Sequence, residues 1–120
     1  MSDSVKLLSP TRENLQFAAD EIARGNPVAF PTETVYGLGG NAYDDAAVAR
    51  VFSMKKRPQT QPLSVCYQSL ERASKDVFIN DFALLVAEHF LPGPVTLLLK
   101  HRANSKISKL CSAGSETVGI

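Results

Sequence analysis

The chain has 120 residues, 44% hydrophobic and 21% charged, with a formal net charge of +1. That length suits one domain with a modest core, and the near-neutral balance excludes a molecule-wide electrostatic footprint for nucleic acid, leaving only local patches. Cys66 and Cys111 show no Cys-x-x-Cys spacing and form no recognisable metal set with His89 and His101, which points to two buried or partly buried thiols in a reducing compartment rather than a disulfide or zinc site.

Lys6 to Leu8 is a short strand candidate. Ser9-Pro10-Thr11 reads as a helix start, with a hydroxyl cap and proline in the first turn. Leu15, Ala18, Ala19 and Ile22 fall on one apolar face, and Gly25 and Pro27 end that helix. Glu13, Gln16, Asp20 and Arg24 make its solvated face. Val28 to Phe30 is a short apolar run, read as a buried strand. It delivers Pro31 to Gly40, a loop of hydroxyls and glycines. Thr32 and Thr34 supply groups that donate or accept, with Glu33 between them. Gly37, Gly39 and Gly40 allow positive φ and close approach of backbone to a ligand.

Asp44 or Asp45 caps the next helix. Val48, Val51 and Phe52 give it a core face, with Met54 as filler. The helix closes on Lys55-Lys56-Arg57-Pro58. Pro58 disfavours helical geometry at Arg57, so Lys55 and Arg57 are expected in an extended stretch, sharing a face. Arg57 would then grip phosphate or carboxylate bidentately, with Lys55 as a point charge. Strand, polar loop, helix and cations, in that order, are the layout of a phosphate or nucleotide site. The pattern is neither Walker A nor the Rossmann glycine fingerprint, and each piece also has a plain reading as a turn or a solvated helix end.

Leu63 to Tyr67 is the next strand, opened by Pro62 where a missing N–H is tolerated. A short helix follows, about Leu70 to Lys75. Asn80 or Asp81 caps a longer one through Phe90, with Ala83, Leu84, Ala87 and Phe90 near a common face. His89 in its last turn complements the helix dipole. Leu91 to Pro94 is a rigid turn, and Val95 to Lys100 a central strand. Arg102, Lys106 and Lys109 read as solvated surface rather than a basic patch. Ser112 to Ser115 is a loop, and Glu116 to Ile120 begins a strand. A domain seldom stops there, so the expectation is one domain over 1–120 that is truncated at its C-terminus. The succession of elements is that of an α/β or α+β domain. No stretch approaches the ~18 apolar residues of a membrane span, which makes the cytoplasm the default location.

PTETVYGLG at 31–39, KKRP at 55–58, QPL at 61–63, PGPVT at 92–96 and TVGI at 117–120 resemble the YrdC-like family of threonylcarbamoyl-AMP synthases. The resemblance runs from about Leu8 to Ile120. It implies a twisted mixed sheet flanked by helices, with a concave basic groove, of which this chain holds about the N-terminal two thirds. It implies synthesis of threonylcarbamoyl-AMP and pyrophosphate from L-threonine, bicarbonate and ATP, for threonylcarbamoyladenosine modification of tRNA. By the same resemblance Lys55 and Arg57 carry catalysis and hold ATP with Gln61 and Thr117, while Thr34 and Cys66 contact threonine. Magnesium would come with ATP, with no protein ligands of its own. A downstream tRNA-modifying transferase complex would take the product. Gln61 stands where the family usually has asparagine, and Cys66 where many members have histidine; the family's next arginine and Ser-x-Asn motif lie past Ile120. The alternative is an RNA- or nucleotide-binding module of this fold without catalysis, with weak RNA binding as its trace.

Overall fold

The computed structural model describes residues 5–120. Lys6 to Leu8, a strand candidate by sequence, is exposed and unpaired with any strand. Helix α1, Arg12–Ala23, starts at Thr11, whose hydroxyl accepts from the Asn14 amide at 3.2 Å. It ends as expected at Gly25, with φ of 91°. The Gly25 and Asn26 amides donate back to the Ile22 and Glu21 carbonyls at 3.0 and 2.9 Å, the paired bonds of a Schellman motif. Its apolar stripe is not core, however. No residue of α1 is buried, and Leu15 is 60% exposed; the helix rests chiefly on the first strand.

Strands β1, Val28–Phe30, and β2, Gly37–Gly39, pair antiparallel, with Phe30 opposite Gly37 and Val28 opposite Gly39. β1 was expected to be buried; Ala29 and Phe30 are exposed instead. The glycines serve a different purpose from the one expected. Positive φ occurs at Gly25 and Gly114, not at Gly37, Gly39 or Gly40. The Phe30 ring lies across β2, so close that a Cβ at Gly39 would stand 2.7 Å from it. Glycine there admits an aromatic ring.

Helix α2, Asp45–Lys55, is capped by Asp44, which accepts from the Ala46 and Ala47 amides at 3.0 and 3.3 Å. Ala47, Val48, Val51 and Phe52 are buried; Met54, expected as core filler, is 56% exposed. Lys55 is the last helical residue and Lys56 turns left-handed, with φ of 52°. Lys56 and Arg57 amides close the helix on the Ser53 and Phe52 carbonyls at 3.1 and 3.0 Å. Residues 55 to 57 are therefore a helix terminus, and the extended stretch expected from Pro58 is not formed.

Residues 63–67 run extended without a regular ladder. The Leu63 amide donates to the Cys111 carbonyl and the Val65 amide to the Gly119 carbonyl, both at 2.8 Å. Two short helices follow, α3 at Leu70–Ala73 and α4 at Asp81–Phe90, capped by Ser69 and Asn80. In α4 only Ala83 and Ala87 are buried; Leu84 and Phe90 sit 43% and 59% exposed, off the face expected of them. A cis peptide joins Leu91 to Pro92. Strand β3, Leu98–Lys100, pairs antiparallel with β4, Thr117–Gly119, and reciprocal bonds between Leu97 and Ile120 extend the pair. A 3-10 turn, Lys109–Ser112, lies in the stretch that reads as polar loop, and it buries Cys111 and Ser112. Helices and strands thus mix as expected, with the described strands paired as two antiparallel ribbons. Val48, Phe52, Val65, Val77, Leu97, Leu99, Ile107 and Val118 form one core between α2, α4 and the β3–β4 ribbon.

Candidate functional site

Successive residues of an extended chain point to opposite faces. Val118 in β4 and Leu99 in β3 point into the core, so Thr117, Gly119, Leu98 and Lys100 take the other face. The register sets Lys100 beside Thr117. A Cβ at Gly119 would stand 3.0 Å from Thr96 Cγ2 and 3.3 Å from Ser64 Oγ, which puts both side chains around that bare backbone. Along 63–67, Val65 is buried while Ser64 and Cys66 are exposed. The ribbon and its neighbour therefore present Ser64, Cys66, Thr96, Lys100 and Thr117 on one surface. Hydroxyls, a thiol and an ammonium there can donate to anionic oxygens. Two of the residues singled out by sequence, Cys66 and Thr117, are among them. Cys66 is exposed rather than partly buried.

Arg57 and Gln61 are also brought together, in a way the sequence did not suggest. Arg57 Nε donates to the Gln61 carbonyl at 3.2 Å, and its Nη2 to the Pro62 carbonyl at 2.8 Å. The Gln61 amide closes on the Pro58 carbonyl at 3.0 Å. Part of the guanidinium fork is thus committed to shaping its own loop, and among the described residues Nη1 makes no hydrogen bond. Lys55 is exposed at the end of α2, where the helix dipole favours a cation. In the loop after β1, the Thr32 hydroxyl donates to the Val35 carbonyl and accepts from the Thr34 amide at 3.3 Å. This turn leaves the Thr34 side chain exposed. Among the described residues no hydrogen bond joins Thr34 or Lys55 to the other expected site residues.

A cleft of about 1180 Å³ opens beside this surface; Ser64, Cys66, Tyr67, Tyr43 and Asp76 line it, and Arg72, Lys75, Arg102 and Lys106 bring cations to it. It is larger than the usual small-molecule pocket. Asp76 is 2% exposed. Its carboxylate accepts from the Tyr43 hydroxyl, from the Tyr67 hydroxyl at 2.7 Å and from the Lys106 amide at 2.8 Å. Burial opposes its ionisation, but the bonds from Tyr43, the Lys106 amide and Tyr67 outweigh burial and hold the carboxyl below the usual carboxylate range. Burial and the Asp76 charge push both phenols up. Arg102 is fixed by Nε donating to the Ser74 carbonyl at 2.6 Å and by the Phe78 ring 4.6 Å beneath it.

Sequence reasoning missed this network. Tyr67 sits on the inward phase of the 63–67 alternation, which was the available signal; its partner Asp76 follows a four-residue helix and carries no local pattern. Arg102 and Lys106, read as solvated surface, share the cleft with Arg72 and Lys75, while Lys109 does not line it. Cys111 is buried as expected, and burial with the nearby Asp45 charge pushes its thiol up to about 11.

A family model described as Telomere recombination, covering Sua5, YciO and YrdC proteins, matches residues 20–120. The chain belongs to the Sua5/YciO/YrdC family. A family member named threonylcarbamoyl-AMP synthase from Pyrococcus abyssi is 40% identical over 109 residues, covering 88% of this chain and 31% of that protein. The Bacillus subtilis synthase is 36% identical over 115 residues, covering 94% of this chain and 33% of its own. The P. abyssi Sua5 structure in complex with L-threonine superposes with a TM-score of 0.85 at 38% identity, over 93% of this chain and 33% of that one. Escherichia coli YciO, at 20% identity and a TM-score of 0.77, shares the family fold. The chain spans about a third of the length of the P. abyssi and B. subtilis relatives.

Proposed function

We propose that this chain is the threonine- and nucleotide-binding part of a threonylcarbamoyl-AMP synthase, acting in the cytoplasm on L-threonine, bicarbonate and ATP for tRNA modification. The observation that carries the reading is the likeness, over 93% of the chain, to a Sua5 protein in complex with L-threonine. The surface that groups Cys66 with Thr117 supports it.

In this reaction the threonine amine and bicarbonate give a carbamate with loss of water. A carbamate oxygen then attacks the α-phosphorus of ATP, and pyrophosphate leaves. Negative charge crowds at phosphorus, so positioning and charge stabilisation are the main needs. Lys55 and the free edge of Arg57 would meet the phosphates, with Thr117 donating a hydroxyl from the sheet face. Thr34 and Cys66 would meet threonine. Gln61 keeps an amide at the nucleotide side, on a loop that Arg57 itself shapes. The donors here are hydroxyls and cations, a set that fits a magnesium ion held by the phosphate oxygens rather than by the protein. That ion would neutralise phosphate charge. The product would pass to a tRNA-modifying transferase complex.

The test is pyrophosphate release from ATP by the folded chain, with and without threonine and bicarbonate. Release requiring both co-substrates, and falling at least 100-fold in Arg57→Ala, is expected, because that change removes a cation and unties the 57–62 loop together. Release indifferent to threonine overturns the reading; if the folded chain is silent, the same assay on the longer protein decides, activity there keeping the reading for the intact enzyme and silence there overturning it. One observation favours a second reading, an RNA-binding module: Arg72, Lys75, Arg102 and Lys106 all line the same cleft, and the ion pair among the described residues is elsewhere, at Arg24–Glu21. A steep salt dependence of RNA binding without pyrophosphate release would select it.

A further inference from the structure

Asp76 takes no part in the chemistry above, yet it is a buried carboxylate whose oxygens are satisfied by two phenols and an amide. Those donors come from three separate places: the loop after β2, the 63–67 segment, and the turn after β3. Its own carbonyl accepts the Arg102 amide at 2.8 Å. The bond from Tyr67 matters most for the site. Tyr67 is the immediate neighbour of Cys66, and consecutive residues of an extended segment face opposite ways. Holding the Tyr67 ring inward on Asp76 therefore holds the Cys66 side chain outward. The 63–67 segment needs such a hold, since Leu63 and Val65 give it only isolated backbone bonds to Cys111 and Gly119. Past Val65, the first hydrogen bond that holds this segment is the one from the Tyr67 hydroxyl to Asp76, on a ring that packs partly buried against the core.

We propose that Asp76 is a positioning residue for the amino-acid substrate, fixing Tyr67 and through it the presentation of Cys66 to threonine. This rests on the synthase reading, which places Cys66 against threonine. It adds a residue that touches no substrate, and it separates the two subsites: Asp76 acts on threonine and not on ATP, whose expected contacts lie on the 55–61 turn and β4.

The two thiols make the test direct. Cys66 is exposed and Cys111 buried, so N-ethylmaleimide alkylation followed by peptide mass spectrometry reads Cys66 alone. In the unaltered chain L-threonine is expected to slow alkylation of Cys66, with a definite midpoint concentration. In Asp76→Asn that midpoint rises about 5- to 10-fold, the consequence of one lost charge-assisted hydrogen bond, while the ATP concentration that half-saturates nucleotide binding stays the same. Tyr67→Phe, which deletes one hydroxyl and keeps the ring, moves the threonine midpoint the same way and carries the test if Asp76→Asn folds poorly. Variants with a lower melting temperature but an unchanged threonine midpoint would overturn the proposal and leave Asp76 a purely structural residue. Equal shifts for threonine and ATP would overturn it too. Failure of threonine to protect Cys66 in the unaltered chain would sink the placement of Cys66 in the threonine subsite, and the role of Asp76 with it.

Discussion

His101 shows how one buried side chain can tie the stability of the fold to pH. It is 7% exposed, with Nε2 3.1 Å from the Ser112 hydroxyl and Nδ1 3.3 Å from the Ser105 hydroxyl. Burial first, and then the Lys109 charge, hold its pKa below the ordinary value, against a weaker pull from Asp76. The folded state thus prefers the neutral ring. Stability from this residue is complete above the unfolded value of about 6.5 and is lost as pH falls through that value toward the lower folded one. We expect the melting temperature to fall as pH drops below about 6.5, and His101→Asn to flatten that slope. His89 is exposed, with Nδ1 on the Leu85 carbonyl. An unchanged slope in His101→Asn would assign the dependence elsewhere. The sequence distinguishes these two histidines only weakly: His89 is legible as a helix-end residue, whereas the burial of His101 depends on serines that follow it in a stretch that looks polar.

At the scale of elements, helix starts were legible and helix ends only partly so. Asp44 and Asn80 cap as their side chains suggest, while α1 is capped by Thr11, so Pro10 precedes the cap instead of lying in the first turn as expected. Gly25 ends α1 in the way glycine usually does, but α2 ends on a lysine in the same left-handed geometry, and no local signal marks Lys56 for it. A Cβ in that conformation is strained. Lys56→Gly is expected to stabilise the chain by about 1 kcal/mol, read as a higher urea midpoint at unchanged slope; a lower midpoint would show that the lysine side chain contributes more than its backbone costs. The same turn carries Lys55 and Arg57, the proposed phosphate contacts, so a change there is expected to move nucleotide affinity together with stability. Strands were harder. Leu63 to Tyr67 reads as a strand, but Cys66, expected to be at least partly buried, is exposed; Val28 to Phe30, just as apolar, is half open because its ring lies over a glycine-rich partner strand.

For the whole molecule, the fold class was readable from the order of elements and the layers were not. The radius of gyration is 15.0 Å, against about 13.6 Å for a close-packed chain of this length. That looseness agrees with an α1 that buries nothing and with core residues gathered between α2, α4 and the second ribbon. Which apolar faces become core is decided by pairings between distant segments, and these leave no periodic trace. The candidate site divides the same way. Its residues are named by the resemblance of their motifs, while the exposure of Cys66, the Arg57 loop and the Asp76 network depend on contacts that only the folded chain makes.

Asp76 ties residues 33 positions before it and 30 positions after it. Such closures form late and open only when much of the chain lets go. In the language of amide deuteration, the Lys106 and Arg102 amides, both bound to Asp76, should exchange only through near-global opening, and the amides of α1 by local fraying. Native-state exchange across a urea series would show the first pair merging with the global unfolding line while α1 stays below it. Exchange of Lys106 as early as α1 would mean that the centre of the molecule breathes as freely as its edge.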